Sequence, residues 1–379
     1  MKQLTQELKS GHMEITEVPF PGLNPGEVLV RTHYSVISAG TEGKTVSDAR
    51  KGYIAKARSR QKEVKQVIQM ARTSGLKETY NLVMNKLEAA SPLGYSCSGE
   101  VIAMGEGVTR LKSGDRVACG GSSAVHADVV SVPVNLCVPV PESVSLRHAA
   151  FSTVAAIALQ GIRQADVRLG ESCVIIGMGL LGQLTAHMLQ AAGVQAIGVD
   201  VDTRQVERAR ASGVTHVFGR QQDGLVQEIQ SLTHGHGADA IIITAGTSSL
   251  DPVEFSGEIA RKKAKVVIVG AVPTGFSRAN YYKKELDLRM SCSYGPGRYD
   301  PRYEEQGIDY PVGYVRWTEN RNMQAFIDLL VERRIPMDSL ISHEFDLAEA
   351  PSAYDMILSR KEPFAGILIR YDTETPLQS

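Results

Sequence analysis

The order of apolar and polar residues divides the chain into two regions with different periods. From Glu14 to about Val140, short apolar runs alternate with turn signals such as Gly26 and Gly107. Short, evenly spaced strands of this kind favour a small antiparallel barrel. The predicted strands of this region are Val28–Arg31, Gly99–Met104, Arg116–Cys119 and Ala127–Val132.

From about Ser152 to Val272 the pattern changes to apolar strands that alternate with helical segments. Such alternation indicates right-handed β-α-β units on a parallel sheet. A helix near Met323–Arg333 and a last strand near Gly366–Arg370 follow, and we expect both to pack against the barrel. The predicted strands of the parallel sheet are Ser172–Ile176, Ala196–Asp200, Ala240–Thr244 and Lys265–Val269.

The segment Gly177–Gly182, which follows the first parallel strand, reads Gly-Met-Gly-Leu-Leu-Gly. In this pattern the first glycine allows a tight turn, the second lets backbone amides approach a pyrophosphate, and the third lets a helix pack against its strand. The phosphates then lie at a helix N-terminus, where unpaired N–H groups and the helix dipole favour an anion. The segment therefore predicts a dinucleotide site, and a glycine turn without a ligand is the alternative.

Asp200 ends the next predicted strand, eighteen residues after Gly182. That spacing suits a carboxylate that binds the adenosine ribose, and the same charge repels a 2′-phosphate, so we expect NAD rather than NADP. The residues predicted to contact the cofactor around the turn and the strand ends are Gly177, Gly179, Leu180, Leu181, Gly182, Asp200, Arg204, Ala245 and Gly270.

Composition narrows the class of protein further. The chain has 379 residues, which suggests about two domains, and its formal net charge of −1 gives no sign of nucleic-acid binding. The segment Met1–Gly11 has no apolar signal-peptide core, and no apolar run is long enough to cross a bilayer, so we expect a cytoplasmic protein with no membrane contact. Five cysteines without a Cys-x-x-Cys pair are expected to be reduced and mostly buried.

The segment 44–92 interrupts the barrel pattern and is strongly basic. It contains eleven Lys or Arg residues against four Asp or Glu residues, a balance of +7 in a chain whose total is −1. Apolar residues at helical spacing, first around Val64–Ala71 and then around Leu76–Leu87, predict a helical hairpin. A solvated outer face is the simpler interpretation of its charge, and contacts with an acidic or phosphorylated substrate are the alternative.

A second unusual segment, Ser293–Asn322, holds five of the thirteen tyrosines and the only tryptophan. Aromatic faces interleaved with polar groups suit a polyhydroxylated ligand, and arginines can also bind phosphate oxygens. A rigid loop or a subunit contact is an equally simple interpretation. The predicted substrate contacts are Tyr294, Arg298, Tyr299, Arg316, Trp317 and Arg321.

Four motifs carry a family resemblance: Tyr34–Glu42, Pro92–Gly99, Ala156–Gly161 and Ser293–Asp300. With the predicted barrel and parallel sheet, they resemble the medium-chain dehydrogenase/reductase superfamily over almost the whole chain. The resemblance implies an α/β fold in which a GroES-like antiparallel β-barrel domain is followed by a Rossmann domain with a doubly wound parallel sheet. The implied bounds are 1–150 for the barrel domain with insert 44–92, 151–318 for the Rossmann domain with insert 293–318, and 319–379 for a C-terminal return to the barrel.

Within that superfamily, the motifs look most like the dehydrogenase half of bacterial two-domain oxidoreductases associated with polysaccharide biosynthesis. In that group this half is often fused to a glucose-fructose-oxidoreductase-like domain. Because the chain ends at Ser379, we expect such a partner, if it exists, to be a separate protein. The resemblance also implies a homodimer formed at a sheet edge.

The resemblance exposes missing zinc ligands. Zinc-dependent members carry a Cys-Gly-x-Asp element, a Gly-His-Glu element and a later cysteine or acid. In this chain Ala39–Glu42 occupies the first element, Gly94–Ser96 the second, and Ala149–Thr153 offers no thiolate. We therefore expect no metal. A site rebuilt from His12, His33 and His126 is the alternative.

Without a metal, side chains must take up the proton that alcohol oxidation releases. By the resemblance, Thr41 matches a hydroxyl that relays this proton, Glu42 follows it, and Tyr95 replaces a histidine ligand. A tyrosine that acts as a base near neutral pH needs a nearby cation, for which Lys283 or Lys284 is the candidate. A tyrosine ring that only fills the volume of the metal is the alternative.

These expectations favour a zinc-independent dehydrogenase that transfers a hydride between NAD and a sugar hydroxyl, as in a nucleotide sugar or a glycoside. The resemblance places Thr153 beside the nicotinamide. A quinone or enoyl reductase is one rival, although such enzymes mostly use NADPH and need no carboxylate like Asp200. A catalytically silent, NAD-binding subunit of a two-component oxidoreductase is the other rival.

Overall fold

The computed structural model of the chain describes residues 1–7, 9–49, 69, 79 and 90–376. The helical hairpin predicted within the basic segment 44–92 lies outside these residues, except for 44–49, 69, 79 and 90–92. Among the residues described, no helix has the length and apolarity needed to cross a membrane.

The N-terminal region contains two sheets. The strands of the small sheet are β1 (Lys2–Glu7), β2 (Met13–Glu17) and β4 (Ala90–Pro92), with β1 in the centre. The larger sheet is ordered β15-β16-β3-β5-β6-β8, and β7 also pairs with β3. Its strands are β3 (Glu27–Ile37), β5 (Ser96–Met104), β6 (Arg116–Gly120), β7 (Val129–Pro133), β8 (Cys137–Pro139), β15 (Ile341–Asp346) and β16 (Gly366–Arg370).

Close packing fixes the antiparallel pair of β3 and β5. Val28 and Val30 of β3 are fully buried, as the alternation of its residues predicts. A Cβ atom added to Gly99 of β5 would lie 1.9 Å from the carbonyl oxygen of Arg31, so only glycine fits there. The antiparallel strands predicted in this region are therefore confirmed, and β3 is longer than predicted.

The central region is a six-stranded parallel sheet ordered β11-β10-β9-β12-β13-β14. This is the strand order of a doubly wound Rossmann fold, in which a ligand binds where the order reverses, at the carboxyl ends of the central strands. All four predicted strands of this sheet are confirmed. The strands are β9 (Ser172–Ile176), β10 (Gln195–Asp200), β11 (His216–Gly219), β12 (Ala238–Ile243), β13 (Ala260–Ile268) and β14 (Asp287–Met290).

Helices cover the sheets and join the two regions. Apolar residues of β9 and β12 are fully buried, because helices lie on both faces of the parallel sheet. The described helices are α1 (Thr41–Ala49), α2 (Leu146–Ala149), α3 (Ser152–Ala165), α4 (Leu180–Ala191), α5 (Thr203–Ala211), α6 (Leu225–Leu232), α7 (Asp251–Ile259), α8 (Arg278–Lys284), α9 (Pro301–Glu304), α10 (Glu319–Val331), α11 (Met337–Leu340) and α12 (Ala350–Ser359).

The C-terminal segment returns to the N-terminal sheet, as predicted. Strand β16 pairs with β3 in antiparallel orientation, with Ile367 opposite Ile37, and β15 adds in parallel outside it. Helix α10 begins at Glu319, four residues before the predicted start near Met323, because the Thr318 side chain caps it by accepting a bond from the Arg321 backbone N–H. Met323 and Phe326 of α10 are fully buried in the same core as α3.

Strand β1 was not predicted from the sequence. Its buried residues are Leu4, Thr5 and Gln6, so two of its three interior positions are polar. A strand is recognised in a sequence by alternating apolar residues, and this one lacks that signal. Pairing with β2 and β4 on either side makes it a strand.

Candidate active site

The glycine-rich turn between β9 and α4 has the geometry that its sequence predicts. Gly177 has φ +104°, a value that favours glycine, and a Cβ atom there would lie 2.7 Å from the backbone nitrogen of Ala245. A Cβ atom on Gly182 would lie 1.9 Å from the carbonyl oxygen of Gly177. Both glycines are therefore required by the close approach of the turn, the helix and the end of β12.

Gly179, in contrast to these two glycines, has open space beside it. It is the N-cap of α4 and has no side-chain capping bond, and nothing lies within 4 Å of a Cβ atom built on it. The N-terminus of this twelve-residue helix thus opens onto unfilled space. Unpaired N–H groups at such a terminus attract an anion, so the turn fits a dinucleotide pyrophosphate.

The carboxylate of Asp200 is held against the same turn. One of its oxygens accepts a hydrogen bond from the Met178 backbone N–H at 2.6 Å, and the other accepts from the Asp202 backbone N–H at 2.8 Å. The side chain is partly buried at the carboxyl end of β10. A ribose bound above the turn would therefore meet a fixed carboxylate.

The other predicted cofactor residues surround this turn or lie close to it. Leu180 and Leu181 begin α4 and are half-buried. Ala245 packs against Gly177, and Gly270 packs against Ala245, whose carbonyl oxygen would lie 2.1 Å from a Cβ atom on Gly270. These glycine and alanine residues therefore shape the wall behind the turn.

Arg204 forms an ion pair with Asp202, which lies two residues before it in the chain. Its guanidinium donates to both carboxylate oxygens of Asp202, at 2.7 and 3.0 Å. Hydrogen bonds from this guanidinium lower the pKa of Asp202. The pair lies at the start of α5, near the end of β10 that carries Asp200.

Three of the four predicted catalytic residues lie together. Thr41 and Glu42 begin α1, and the Tyr95 hydroxyl interacts with the side chains of Ser38 and Thr41. Burial raises the pKa of Tyr95 to about 12; the Ser38 hydroxyl lowers it in part, the Glu42 carboxylate raises it, and the Thr41 hydroxyl lowers it. Tyr95 therefore keeps its proton at neutral pH, which makes it a hydrogen-bond donor rather than a ready base.

Glu42 points into the protein core. One of its oxygens accepts a hydrogen bond from the Tyr354 hydroxyl at 2.5 Å and lies 3.1 Å from Nε2 of His126, and the other accepts from the Ser38 backbone N–H. Nδ1 of His126 lies 2.7 Å from the Ser35 hydroxyl. This buried network, which the sequence analysis did not predict, fixes the start of α1 beside Tyr95.

The structure does not bring Lys284 to Tyr95. The Lys284 ammonium donates to the carbonyl oxygens of Gly257, Glu258 and Ala260, at 2.7 to 2.8 Å. These carbonyls lie at the C-terminal end of α7, where a cation is favourable. All three of its hydrogens are engaged at this helix end, so Lys284 is not the cation expected beside Tyr95.

Thr153 links the barrel to the first Rossmann helix. It is fully buried near the start of α3, its hydroxyl donates to the carbonyl oxygen of Cys119 at 3.3 Å, and its backbone N–H donates to the Ser96 hydroxyl. Ser96 is the neighbour of Tyr95. Tyr95 packs against the apolar core that includes Phe151 and Val154, so Thr153 and Tyr95 both lie where the barrel meets α3.

The donor set at this junction does not fit a catalytic zinc. At two positions where the family resemblance implies zinc ligands, the chain carries Ala39 and Tyr95, and neither side chain is a usual zinc ligand. Within residues 1–7, 9–49 and 90–376, no group of three or more His, Cys, Asp or Glu side chains is arranged to hold a metal ion. Of the five cysteines, which are all free, only Cys292 is exposed.

Trp317, in the predicted substrate segment, is stacked between two arginines. The guanidinium carbon of Arg163 lies 3.5 Å from its ring centroid, and that of Arg316 lies 3.9 Å away. Burial and the charge of Arg316 lower the pKa of Arg163 to about 10. The tryptophan face is therefore already covered by cation–π contacts.

Arg298 and Arg321 are also paired within the segment. Arg298 forms an ion pair with Glu304 at 2.5 Å and stacks against Tyr299, which is 71% exposed. Arg321 donates to Asp309 and to the carbonyl oxygens of residues 310 and 315. These contacts support the rigid-loop interpretation of both arginines.

Tyr294 differs from the rest of the segment because it is buried. Its side chain is 3% exposed, and its hydroxyl has no hydrogen-bond partner. Its neighbours Glu319 and Asn322 on α10 are fully buried and were missed by the sequence analysis. The available signal was their position on the apolar face of the helix, in register with Met323 and Phe326.

Two domain models match the chain. Residues 64–142 match the alcohol dehydrogenase GroES-like domain, and residues 181–306 match the zinc-binding dehydrogenase domain. Together with the barrel, the Rossmann sheet and the glycine turn, these matches show that the chain belongs to the medium-chain dehydrogenase/reductase superfamily of oxidoreductases.

Individual relatives include dehydrogenases of sugars and polyols. The chain is 27% identical to D-guloside 3-dehydrogenase of Shigella flexneri over 69% of this chain and 72% of the relative. It is 26% identical to sorbitol dehydrogenase 2 of Saccharomyces cerevisiae, over 71% and 78% of the two chains. The structure of galactitol-1-phosphate dehydrogenase from Escherichia coli covers 98% of this chain and 100% of that one, with a TM-score of 0.73 and 18% identity.

Two glycine substitutions are predicted to have opposite effects. Gly182→Ala places a methyl group against the Gly177 carbonyl and should lower the free energy of unfolding by about 1–3 kcal/mol. Gly179→Ala meets open space, so it should leave stability unchanged while it weakens NAD binding about tenfold or more. Urea unfolding and calorimetry measure the two effects, and equal loss of stability in both variants would contradict the assignment.

Removal of the Glu42 carboxylate is predicted to destabilise the barrel. Glu42→Ala leaves His126, Tyr354 and the Ser38 backbone N–H without their acceptor inside the core, which should cost about 3–5 kcal/mol of unfolding free energy. Glu14→Ala, at an exposed position, is the matched control. A Glu42→Ala protein as stable as this control would show that the network does not hold the site together.

Proposed function

We propose that the protein is an NAD-dependent, zinc-independent dehydrogenase that oxidises a hydroxyl group of a sugar or polyol, as in a glycoside or nucleotide sugar. The observation that carries the proposal is the Asp200 carboxylate, which is held against the open glycine turn. In the same fold, the hydroxyl groups of Tyr95, Ser38 and Thr41 lie together in the barrel. The sugar and polyol dehydrogenases among the relatives support the substrate class.

Asp200 supports NAD as the cofactor. Its two backbone hydrogen bonds hold the carboxylate at the end of β10, where hydroxyl groups of the adenosine ribose are favourable donors and a 2′-phosphate is repelled. Arg204, a candidate for binding a 2′-phosphate, already forms an ion pair with Asp202. When bound, the nicotinamide supplies the acceptor for the hydride that leaves the substrate carbon.

The hydroxyl cluster at Tyr95 is assigned to the substrate proton. Because Tyr95 keeps its own proton, its hydroxyl oxygen accepts the proton of the substrate hydroxyl only as it passes its own proton on to the Thr41 hydroxyl. Thr41, which is exposed, completes a relay from Tyr95 to solvent. Glu42 is a positioning residue in this scheme, because its oxygens already bond to groups in the core. No step requires a metal ion.

Strand β14 supports the proposal of a homodimer. It is the last strand of the parallel sheet on one side, and its Met290 side chain is 62% exposed. An exposed apolar residue on an open strand is suited to pairing with the same strand of a second copy. The proposal also includes a separate glucose-fructose-oxidoreductase-like partner, and in it this chain catalyses the reaction.

Replacement of Asp200 is predicted to change cofactor preference. Asp200→Ala should weaken NAD binding by about tenfold to hundredfold, because a charged acceptor of ribose hydroxyls is lost, and should weaken NADP binding far less. Calorimetry with both nucleotides measures the change, and Asp223→Ala at an exposed position is the control. Equal losses for NAD and NADP would refute the ribose assignment.

Tyr95 is predicted to matter for turnover without zinc. The wild-type protein, dialysed against a chelator, should reduce NAD with D-sorbitol or a methyl glycoside, and Tyr95→Phe should lower kcat by about a hundredfold or more, because the proton relay is broken. Tyr282→Phe, at a 64% exposed position, is the control.

Three results would contradict this scheme. Unchanged kcat in Tyr95→Phe would leave the ring as a space filler. Stoichiometric zinc whose removal abolishes turnover would end the metal-free mechanism. Absence of turnover with every sugar tested, despite NAD binding, would favour a catalytically silent subunit.

A further inference from the structure

Four buried oxygen atoms without hydrogen-bond partners lie near the start of α10. They are both carboxylate oxygens of Glu319, Oδ1 of Asn322 and the hydroxyl of Tyr294. Glu319 and Asn322 are 0% exposed, and Tyr294 is 3% exposed. Buried polar atoms in folded proteins nearly always have partners, so a group of four unpaired atoms requires a specific explanation.

Contacts between α10 and the preceding loop bring these side chains together. Glu319 and Asn322 are three residues apart and lie on one face of the helix. The Asn322 amide donates to the Tyr294 carbonyl oxygen at 3.0 Å, and the Glu319 backbone N–H donates to the Pro296 carbonyl oxygen at 3.0 Å. Burial raises the pKa of Tyr294, and the charge of Glu319 raises it further. We call these three side chains the oxygen cluster.

The oxygen cluster adjoins the residues assigned to chemistry. A Cβ atom on Gly121 would lie 3.5 Å from the Tyr294 hydroxyl oxygen, and one on Gly120 would lie 2.7 Å from Oγ1 of Thr153 and 3.3 Å from the sulfur of Met323. The end of β6 therefore contacts Thr153 on one side and the oxygen cluster on the other. The cluster and Thr153 share one wall at the junction of the two regions.

The chemistry of the oxygen cluster favours hydroxyl groups as its partners. With Glu319 protonated, its carboxyl group and the Tyr294 hydroxyl can each donate and accept a hydrogen bond, and Oδ1 of Asn322 accepts, so the complementary group must do both, as a hydroxyl group does. Burial and the charge of Glu304 raise the pKa of Glu319 to about 9, although the charge of Arg298 acts to lower it. At neutral pH the carboxyl group is thus uncharged, which suits a neutral polyol better than a cation.

We propose that Glu319, Asn322 and Tyr294 form a subsite for substrate hydroxyl groups other than the one that is oxidised. The proposal rests on the function proposed above, and it names the residues that distinguish a polyol from a simple alcohol. A site built to hydrogen-bond a hydroxyl group discriminates strongly against an analogue that lacks it, because the buried polar groups then stay unpaired.

Two variants of similar side-chain size that cannot form hydrogen bonds test the subsite by kinetics. Tyr294→Phe and Glu319→Leu should each raise KM for D-sorbitol about tenfold to hundredfold, with kcat within about threefold and no change for 2-propanol, which has no further hydroxyl group. Glu332→Leu, exposed at the other end of α10, is the matched control. If KM for D-sorbitol in both variants equals that of the wild type, the subsite is overturned, and internal water is the partner of these atoms.

Stability separates a binding role from a structural one. Tyr294→Phe removes a buried hydroxyl that has no partner, so its melting temperature should equal or exceed that of the wild type while polyol binding falls. A structural role would lower both. Because glutamine also fills the Glu319 site without a charge, the stability of Glu319→Gln relative to the wild type should rise between about pH 5 and pH 9. A Tyr294→Phe protein that is destabilised and binds polyol normally would overturn the proposal.

Binding without turnover distinguishes this proposal from the proposed function. D-sorbitol, galactitol and methyl α-D-glucoside are titrated by calorimetry into the NADH-loaded protein, in which an alcohol cannot be oxidised. Heat in the wild type that is lost in Glu319→Leu supports the subsite even if no turnover is found, in which case only the proposed function fails. No heat with any of the three would overturn the subsite whatever the turnover.

Discussion

The close contact between the Gly177 carbonyl and Gly182 is the constraint on which the rest of the site depends. It brings the helix α4 so near to the turn that only glycine fits at position 182. The N-terminus of the helix is thereby directed at open space in front of Gly179, and the backbone N–H of Met178 is available to hold Asp200. The proposed contacts with the phosphates and with the ribose thus both depend on one steric requirement.

The barrel side of the site is organised by a buried polar network. Glu42, His126 and Tyr354 bond to one another in the core, and this arrangement holds the start of α1 beside Tyr95. Burial keeps Tyr95 protonated and therefore limits it to donating or relaying a proton. An uncharged hydroxyl cluster of this kind places less demand on the surrounding charges than a bound zinc ion does.

Charge is distributed unevenly in the segment between β14 and α10. The arginines of this segment, partly buried Arg298 and Arg321 and exposed Arg316, have ion-pair, carbonyl or stacking partners that stabilise the loop. The buried residues Tyr294, Glu319 and Asn322 have unpaired oxygens instead. The arginines, which stand out in the sequence, therefore stabilise the loop. The unpaired hydrogen-bonding atoms belong to Tyr294, Glu319 and Asn322 instead. Exposed polar groups can form hydrogen bonds with water, whereas buried ones depend on a specific partner within the protein.

The sequence by itself determined the parallel sheet, the barrel strands, the glycine turn and Asp200, because these features follow from local periodicity and from spacing along one β-α-β unit. Only the tertiary structure decided that Lys284 donates to the carbonyls at the end of α7 and that the polar segment β1 is a strand. It also decided that Glu42 bonds to His126 and Tyr354, which lie 84 and 312 positions further along the chain. Side chains distant in sequence meet through packing, and a residue pattern read along the chain does not record which of them will touch.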